Sequence, residues 1–127
     1  MELIENPIDR SALNRLEKLG GIELMVRVID QYLLNVPERM DTACDRGRAG
    51  DLTAVWRAIH AIKSAAGNIG ATPVSDFADR IEKAAVDGAR DMIIPLLCQF
   101  NDVLGQVETW LQHEKVTLRS SQSHYWH

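Results

Sequence analysis

The sequence predicts an all-α protein, folded as an antiparallel four-helix bundle with a short extra N-terminal helix. Apolar residues recur every three to four positions in nearly every segment, which is the period of an amphipathic helix, whereas the sustained alternation of strands is not found. Capping residues, glycines and prolines divide the 127 residues into segments of helical length. A chain of this length is typical of one domain, so we expect the bundle to span 1–114 and a disordered tail to follow over 115–127.

The first two helices are separated by a glycine pair. The sequence DRSALNRLEKLGG predicts a short helix over 9–19, with Asp9 or Ser11 as its N-cap and the two glycines at its end. The second helix begins after them, and Pro37 is expected to kink or restart it because proline lacks the backbone N–H. Its predicted apolar face consists of Ile22, Met25, Val26, Ile29, Leu33 and Leu34.

The third helix carries a histidine that faces away from the predicted core. Asp51 can cap this helix, which is predicted from Leu52 to about Ala71. Its apolar arc consists of Leu52, Val55, Ile59, Ile62, Ala66 and Ile69. On a helical wheel the centre of that arc lies roughly 120° from His60, so the imidazole is expected to face outward.

The last two helices follow from their capping residues. Thr72 and Pro73 supply a cap and a first-turn proline for the fourth helix, which ends at the sequence VDGARD. Asp91 can cap the fifth helix, predicted over 92–114, and Pro95 is tolerated near its first turn. The apolar register of this helix consists of Leu96, Leu97, Phe100, Leu104, Val107 and Leu111.

The face around His60 is poor in large side chains. It consists of Thr53, Trp56, Arg57, Lys63, Ser64, Gly67 and Ala71. Gly67 inside the helix costs about 1 kcal/mol relative to alanine, and Gly70 costs a similar amount. Glycines that lower helix stability at these positions suggest a functional role for this face. Trp56 borders an exposed surface, so we expect a partner to dock there. Trp56 is equally compatible with half-buried core, and Arg57 with an ordinary surface residue.

This arrangement suits the capture of a phosphoryl group. An imidazole in water is largely neutral at cytoplasmic pH and is therefore nucleophilic. Ser64 and Gly67 leave it accessible, and Lys63, three residues on, can reach an anion held at its tip. Phosphoryl transfer depends mainly on positioning and charge neutralisation, so one nitrogen and one cation suffice if the partner supplies the rest.

Composition and motifs argue against other classes of protein. A net charge of −4 and a pI near 5.5 disfavour nucleic acid binding. With no apolar run of about 18 residues and no signal peptide, we expect a cytoplasmic chain without direct membrane contact. Cys44 and Cys98 are interpreted as small apolar fillers, and His113, His124 and His127 lack the partners of a metal site. A glycine-rich phosphate loop is missing too, so the chain cannot phosphorylate itself from ATP.

Residues 60–71 resemble the phosphoacceptor region of histidine-containing phosphotransfer (HPt) domains, which reads H-x-x-K-[G/S]-[S/A]-A-x-x-[L/I]-G-A. The matching residues are His60, Lys63, Ser64, Ala65, Ala66, Ile69, Gly70 and Ala71. The resemblance covers about 9–114 and continues downstream at Val74, Phe77, Ala78, Ile81 and Glu82. Two departures are modest, since Ser64 replaces the glycine most often found there and Ala78 replaces the frequent cysteine.

The resemblance implies a phosphocarrier of two-component phosphorelays. It implies that His60 accepts a phosphoryl group from a receiver-domain aspartate and passes it to another receiver, and that Lys63 helps to hold the group. The candidate docking face then consists of Trp56, Arg57, Ser64, Gly67 and Ala71. We expect a monomer without a cofactor of its own, with magnesium on the receiver, because the sequence offers no carboxylate cluster near His60 that could bind magnesium tightly. The chain is either free-standing or a module of a hybrid sensor kinase, which would be membrane-tethered.

Two other functions compete with this interpretation. A helical adaptor would bind a receiver or another signalling protein through the same face without phosphotransfer, and its binding would not depend on His60. A sensor-kinase dimerisation domain also carries a histidine on a bundle helix, but resemblance to it calls for an acidic residue next and a proline a few residues on. Ala61 and Ala65 stand at those positions, so the adaptor is the alternative that stays open.

Overall fold

Four helices form the part of the chain that this computed structural model describes, residues 3–125, with side chains described to residue 121. They are α1 (Arg10–Arg48), α2 (Leu52–Ile69), α3 (Thr72–Val86) and α4 (Arg90–Tyr125). Each helix packs against the next, and α4 packs back against α1. Short links between neighbouring helices make the bundle antiparallel, which confirms the predicted fold class.

A break within α1 separates the extra N-terminal helix from the bundle helix. Gly20 and Gly21 leave the helical region, with Gly21 at a φ of 70°, so residues 10–19 and 22–48 form two arms. Asp9 caps the first arm, since its carboxylate accepts hydrogen bonds from the Ser11 N–H at 3.0 Å and the Ser11 hydroxyl at 2.8 Å. The expected restart at Pro37 is wrong, because the backbone keeps helical dihedral angles there and continues to Arg48.

The core consists of the inner faces of all four helices. On α2 the buried residues are Val55, Ala58, Ile59, Ile62, Ala66 and Ile69, which is close to the predicted arc. All six apolar residues predicted for α4 are buried as well. On α1 the prediction was less accurate, because Leu34 is 69% exposed while Tyr32 and Val36 face the core. Within the described residues, no helix has the length and apolar character of a membrane span.

The turn between α2 and α3 is tied to the start of α1. Gly70 ends α2 in the left-handed conformation, with a φ of 75°, and its carbonyl accepts a hydrogen bond from the Asp9 N–H at 2.7 Å. A Cβ at Gly70 would lie 2.4 Å from the Asp9 carbonyl oxygen. Gly70 is therefore a turn residue rather than a cost within the helix. Ala71, not Thr72, occupies the N-cap of α3, and Pro73 lies in the first turn as predicted.

The C-terminal helix is longer than expected. Instead of a disordered tail beginning at residue 115, α4 continues to Tyr125. Lys115 forms an ion pair with Asp30, and Leu118 packs against the core, so α1 holds this extension in place. The periodicity of the sequence did not predict this extension because Leu118 packs against the core while Val116, two residues before it, is 64% exposed. Trp126 and His127, the end of the predicted tail, lie outside the described residues.

Candidate functional site

The imidazole of His60 lies on the outer surface of α2, as predicted. About half of its side chain, 50%, is exposed to solvent. Trp56, one turn earlier on α2, stacks on the ring with a centroid distance of 4.7 Å and an angle of 8° between the planes. Trp56 is itself half-buried and packs against the core. One face of the imidazole is therefore covered by the indole, while the edge of the ring stays accessible.

A carboxylate on the neighbouring helix α3 fixes the orientation of the imidazole. Nδ1 of His60 lies 2.8 Å from Oε1 of Glu82, whose side chain is only 13% exposed. Because a carboxylate can only accept, Nδ1 carries the proton and donates it in this hydrogen bond. In the neutral ring the lone pair then lies on Nε2. The geometry thus leaves Nε2 as the ring nitrogen that can act as a nucleophile.

Lys63 is bound to the same carboxylate. Its Nζ lies 3.3 Å from Oε2 of Glu82, and it also forms an ion pair with Asp79, one turn earlier on α3. The hydrogen bond to Asp79, followed by the one to Glu82, raises the pKa of the Lys63 ammonium, so this side chain stays charged. Glu82 therefore connects the imidazole and the ammonium of α2 into one hydrogen-bonded group.

The other residues of the predicted docking face divide into two groups. Arg57, Ser64 and Gly67 are exposed on α2, on the same side as His60. A Cβ at Gly67 would meet no atom within 4 Å, so the surface is open there. Ala71 does not belong to this face, because it is completely buried. The wheel placed it outside because it assumed a helix through residue 71, whereas the chain turns at Gly70.

Two acidic residues of α3 at this site were not assigned a role from the sequence. Glu82 was named only as a residue of the family resemblance, and no role was predicted for Asp79. No carboxylate cluster able to bind magnesium tightly was expected near His60, and that stays a prediction; the two carboxylates that do lie there both contact Lys63. The sequence feature that could have pointed to them is a pair of acidic residues three positions apart on a helix expected to pack beside α2. Among the described residues, no group of three or more histidine, cysteine or acidic side chains is arranged to hold a metal ion.

Comparisons with known proteins give a family and a related fold. A family model described as the Hpt domain matches residues 27–113, which include His60, Lys63 and Glu82. A crystal structure of histidine-containing phosphotransfer protein B (HptB) from Pseudomonas aeruginosa PAO1 has a similar fold, with a TM-score of 0.84 at 20% identity. The similarity covers 90% of this chain and 98% of that chain. No curated protein matches the sequence.

The family model spans more than half of the chain, and the histidine, lysine and serine of the HPt-like motif, His60, Lys63 and Ser64, lie on the outer side of α2. Hpt domains are phosphocarriers rather than kinases, and they interact with receiver domains of phosphorelay proteins. This chain belongs to the Hpt domain family and is a phosphotransfer intermediate of phosphorelay signalling.

Proposed function

We propose that His60 is the phosphoacceptor, and that the chain takes a phosphoryl group from the aspartate of one receiver domain and passes it to another. The observation that carries this proposal is the hydrogen bond between Nδ1 and Glu82. It leaves the Nε2 lone pair on the exposed edge of a half-exposed ring. A receiver that docks on this face can therefore bring its aspartyl phosphate in line with a nucleophile of fixed orientation.

The transfer step needs no base on this chain. The Nε2 lone pair attacks the phosphorus, the N–P bond forms, and the P–O bond to the receiver aspartate breaks, so that the aspartate leaves as a carboxylate. The ring keeps its Nδ1 proton and becomes positively charged. The Glu82 carboxylate, 2.8 Å away, balances that charge and stabilises the product. Attack by the aspartate of a second receiver reverses the step and restores the neutral imidazole.

In this proposal the exposed face of α2 is the docking surface. Trp56, Arg57, Ser64 and Gly67 surround His60, and the open space at Gly67 allows a close approach of the receiver. Lys63 neutralises part of the phosphoryl charge. The chain acts as a monomer in the cytoplasm without a cofactor of its own, and magnesium is held by the receiver. As part of a hybrid sensor kinase it would be tethered to the membrane.

The test is transfer from a panel of phosphorylated receiver domains to the purified chain. We expect an acid-labile, alkali-stable label on the wild-type chain and no label on His60→Gln. His113→Gln is the matched control, since it removes another exposed histidine from the same bundle and should be labelled normally. Full labelling of His60→Gln would refute the proposal. Receiver binding that is indifferent to His60, without any label on the wild type, would identify an adaptor instead.

A further inference from the structure

We propose that Asp79 shifts the phosphoryl-transfer equilibrium toward the receiver, because it holds Lys63 away from the phosphoryl group on His60. This inference rests on the proposed function of His60. It concerns the direction in which the phosphoryl group moves at equilibrium, rather than whether His60 accepts it. Asp79 forms an ion pair with Lys63, whereas the hydrogen bond to the imidazole of His60 is made by Glu82.

Lys63 already has two anionic partners before any phosphoryl group arrives. Its ammonium contacts Asp79 and lies 3.3 Å from Glu82, and its side chain is 35% exposed. The pair with Glu82 runs through the carboxylate that also holds His60, so it is part of the acceptor geometry. Asp79 is different because its side chain is 58% exposed and its ion pair is with Lys63 rather than with the imidazole. Of the two carboxylates, only Asp79 can be removed without disturbing the imidazole.

Phosphorylation changes the charge balance around this ammonium. A phosphoryl group carries about −1.5 to −2 charges and presents three strong acceptor oxygens. Lys63 then has three anionic neighbours and a single ammonium with which to compensate them. If it turns toward the phosphoryl group, the contact with Asp79 is lost, and if it stays, the phosphoryl group lacks a cation. Either outcome raises the free energy of the phosphorylated state and leaves the unphosphorylated state as it is.

On the receiver aspartate, the same phosphoryl group is not destabilised by Asp79. Asp79 should therefore favour the receiver aspartate over His60 in the transfer equilibrium, which suits a carrier that must release what it accepts. Removing the Asp79 charge frees Lys63 for the phosphoryl group. Since exposed ion pairs are weak, the expected shift is about two- to fivefold.

The experiment measures how a radioactive phosphoryl group divides between the full chain and one isolated receiver domain at equilibrium, at low ionic strength. We expect Asp79→Asn to raise the ratio of phosphorylated chain to phosphorylated receiver about two- to fivefold. Asp76→Asn is the matched control, because it removes the same charge from an exposed position one turn earlier on α3 and should leave the ratio unchanged. Circular dichroism should show the same helical content for all variants.

A second variant pair tests whether Asp79 acts through Lys63. In a Lys63→Ala background, Asp79→Asn should no longer change the ratio. The proposal is overturned if Asp79→Asn leaves the ratio unchanged or lowers it, if Asp76→Asn has the same effect, or if the effect persists without Lys63. Failure of the proposed function looks different, because the wild-type chain then carries no label at His60 at all.

Discussion

Among the residues whose side chains the structure describes, two histidines are exposed, and each has a tryptophan one turn before it. On α2, Trp56 stacks on His60 at 4.7 Å. On α4, Trp110 precedes His113, but its ring is covered instead by the guanidinium of Arg10, whose Cζ lies 5.4 Å from the ring centroid. The same residue types are therefore available at both places, and they are partnered differently.

The carboxylates differ in the same way. Glu82 accepts a hydrogen bond from His60 and leaves its other oxygen for Lys63. Glu114, beside His113, is buried and forms an ion pair with Arg10, which joins the N-terminal arm of α1 to α4. The aromatic ring and the acid on α4 thus hold the fold together, whereas those at His60 orient the imidazole that we propose as the nucleophile. The two histidines are distinguished by what their neighbours contact, not by which neighbours they have.

After the loss of His60 itself, the largest effect on phosphoryl transfer is expected for Glu82→Ala. A hydrogen bond to a charged group contributes roughly 1.5–3 kcal/mol, so the rate of phosphoryl acceptance should fall about ten- to a hundredfold. Rapid-quench measurement of transfer from a phosphorylated receiver gives this rate. Glu114→Ala should instead lower the free energy of unfolding by about 1–3 kcal/mol, while folded molecules accept the phosphoryl group at the wild-type rate. Equal effects of the two substitutions on transfer would contradict the different roles assigned to Glu82 and Glu114.

An intermediate effect is expected for Gly67→Gln. The residue is helical and a Cβ there meets nothing within 4 Å, so the fold should be unchanged or stabilised by up to about 1 kcal/mol. The long side chain should nevertheless crowd the receiver and weaken its docking, measured as a higher dissociation constant by calorimetry. Gly105→Gln is the control, since a Cβ there also enters open space but lies on α4, which packs against α1 and α3. Unaltered docking of Gly67→Gln would assign that glycine no part in the interface.

The smallest effect is expected for Lys63→Ala. An exposed ion pair is weak and is screened over about 8–10 Å at physiological ionic strength. The lifetime of the phosphohistidine or the rate of acceptance should therefore change only about two- to fivefold, and the difference should shrink as salt is added. Phosphohistidine decay followed at two salt concentrations checks this. A wild-type lifetime at low salt would leave Lys63 without a role in holding the phosphoryl group.

The parts of the site that could be predicted from the sequence are those that depend on one helix. The outward direction of His60 and the position of Lys63 follow from the apolar arc of α2 and the period of the helix. Glu82 and Asp79 come from another helix, α3. Glu82 lies 22 residues after His60 and 19 residues after Lys63, the two side chains that it contacts. Their place beside α2 depends on how α3 is rotated when it packs, which a helical wheel of either helix alone does not give.

The same reasoning explains the errors in the fold. The cap at Asp9 and the inner face of α4 were predicted correctly because they are local patterns. The helical extension after residue 114 was missed because it depends on Lys115 meeting Asp30 of α1, far away in the chain. Ala71 was misplaced by one local detail, the left-handed turn at Gly70. Contacts between distant segments, and single turns that interrupt a period, are what the pattern of one sequence does not specify.

The Asp9–Gly70 contact implies that the two glycines near the end of α2 are constrained by different kinds of selection. Any side chain at Gly70 would meet the Asp9 carbonyl oxygen at 2.4 Å and would also strain the backbone at its φ of 75°. At Gly67 an added Cβ would meet no atom of the chain within 4 Å, so most side chains are compatible with the fold. A library of variants sorted for folded protein would therefore lose diversity at Gly70 and keep it at Gly67. The same library sorted for signalling in the cell would become restricted at both positions, which separates the demands of folding from those of the partner.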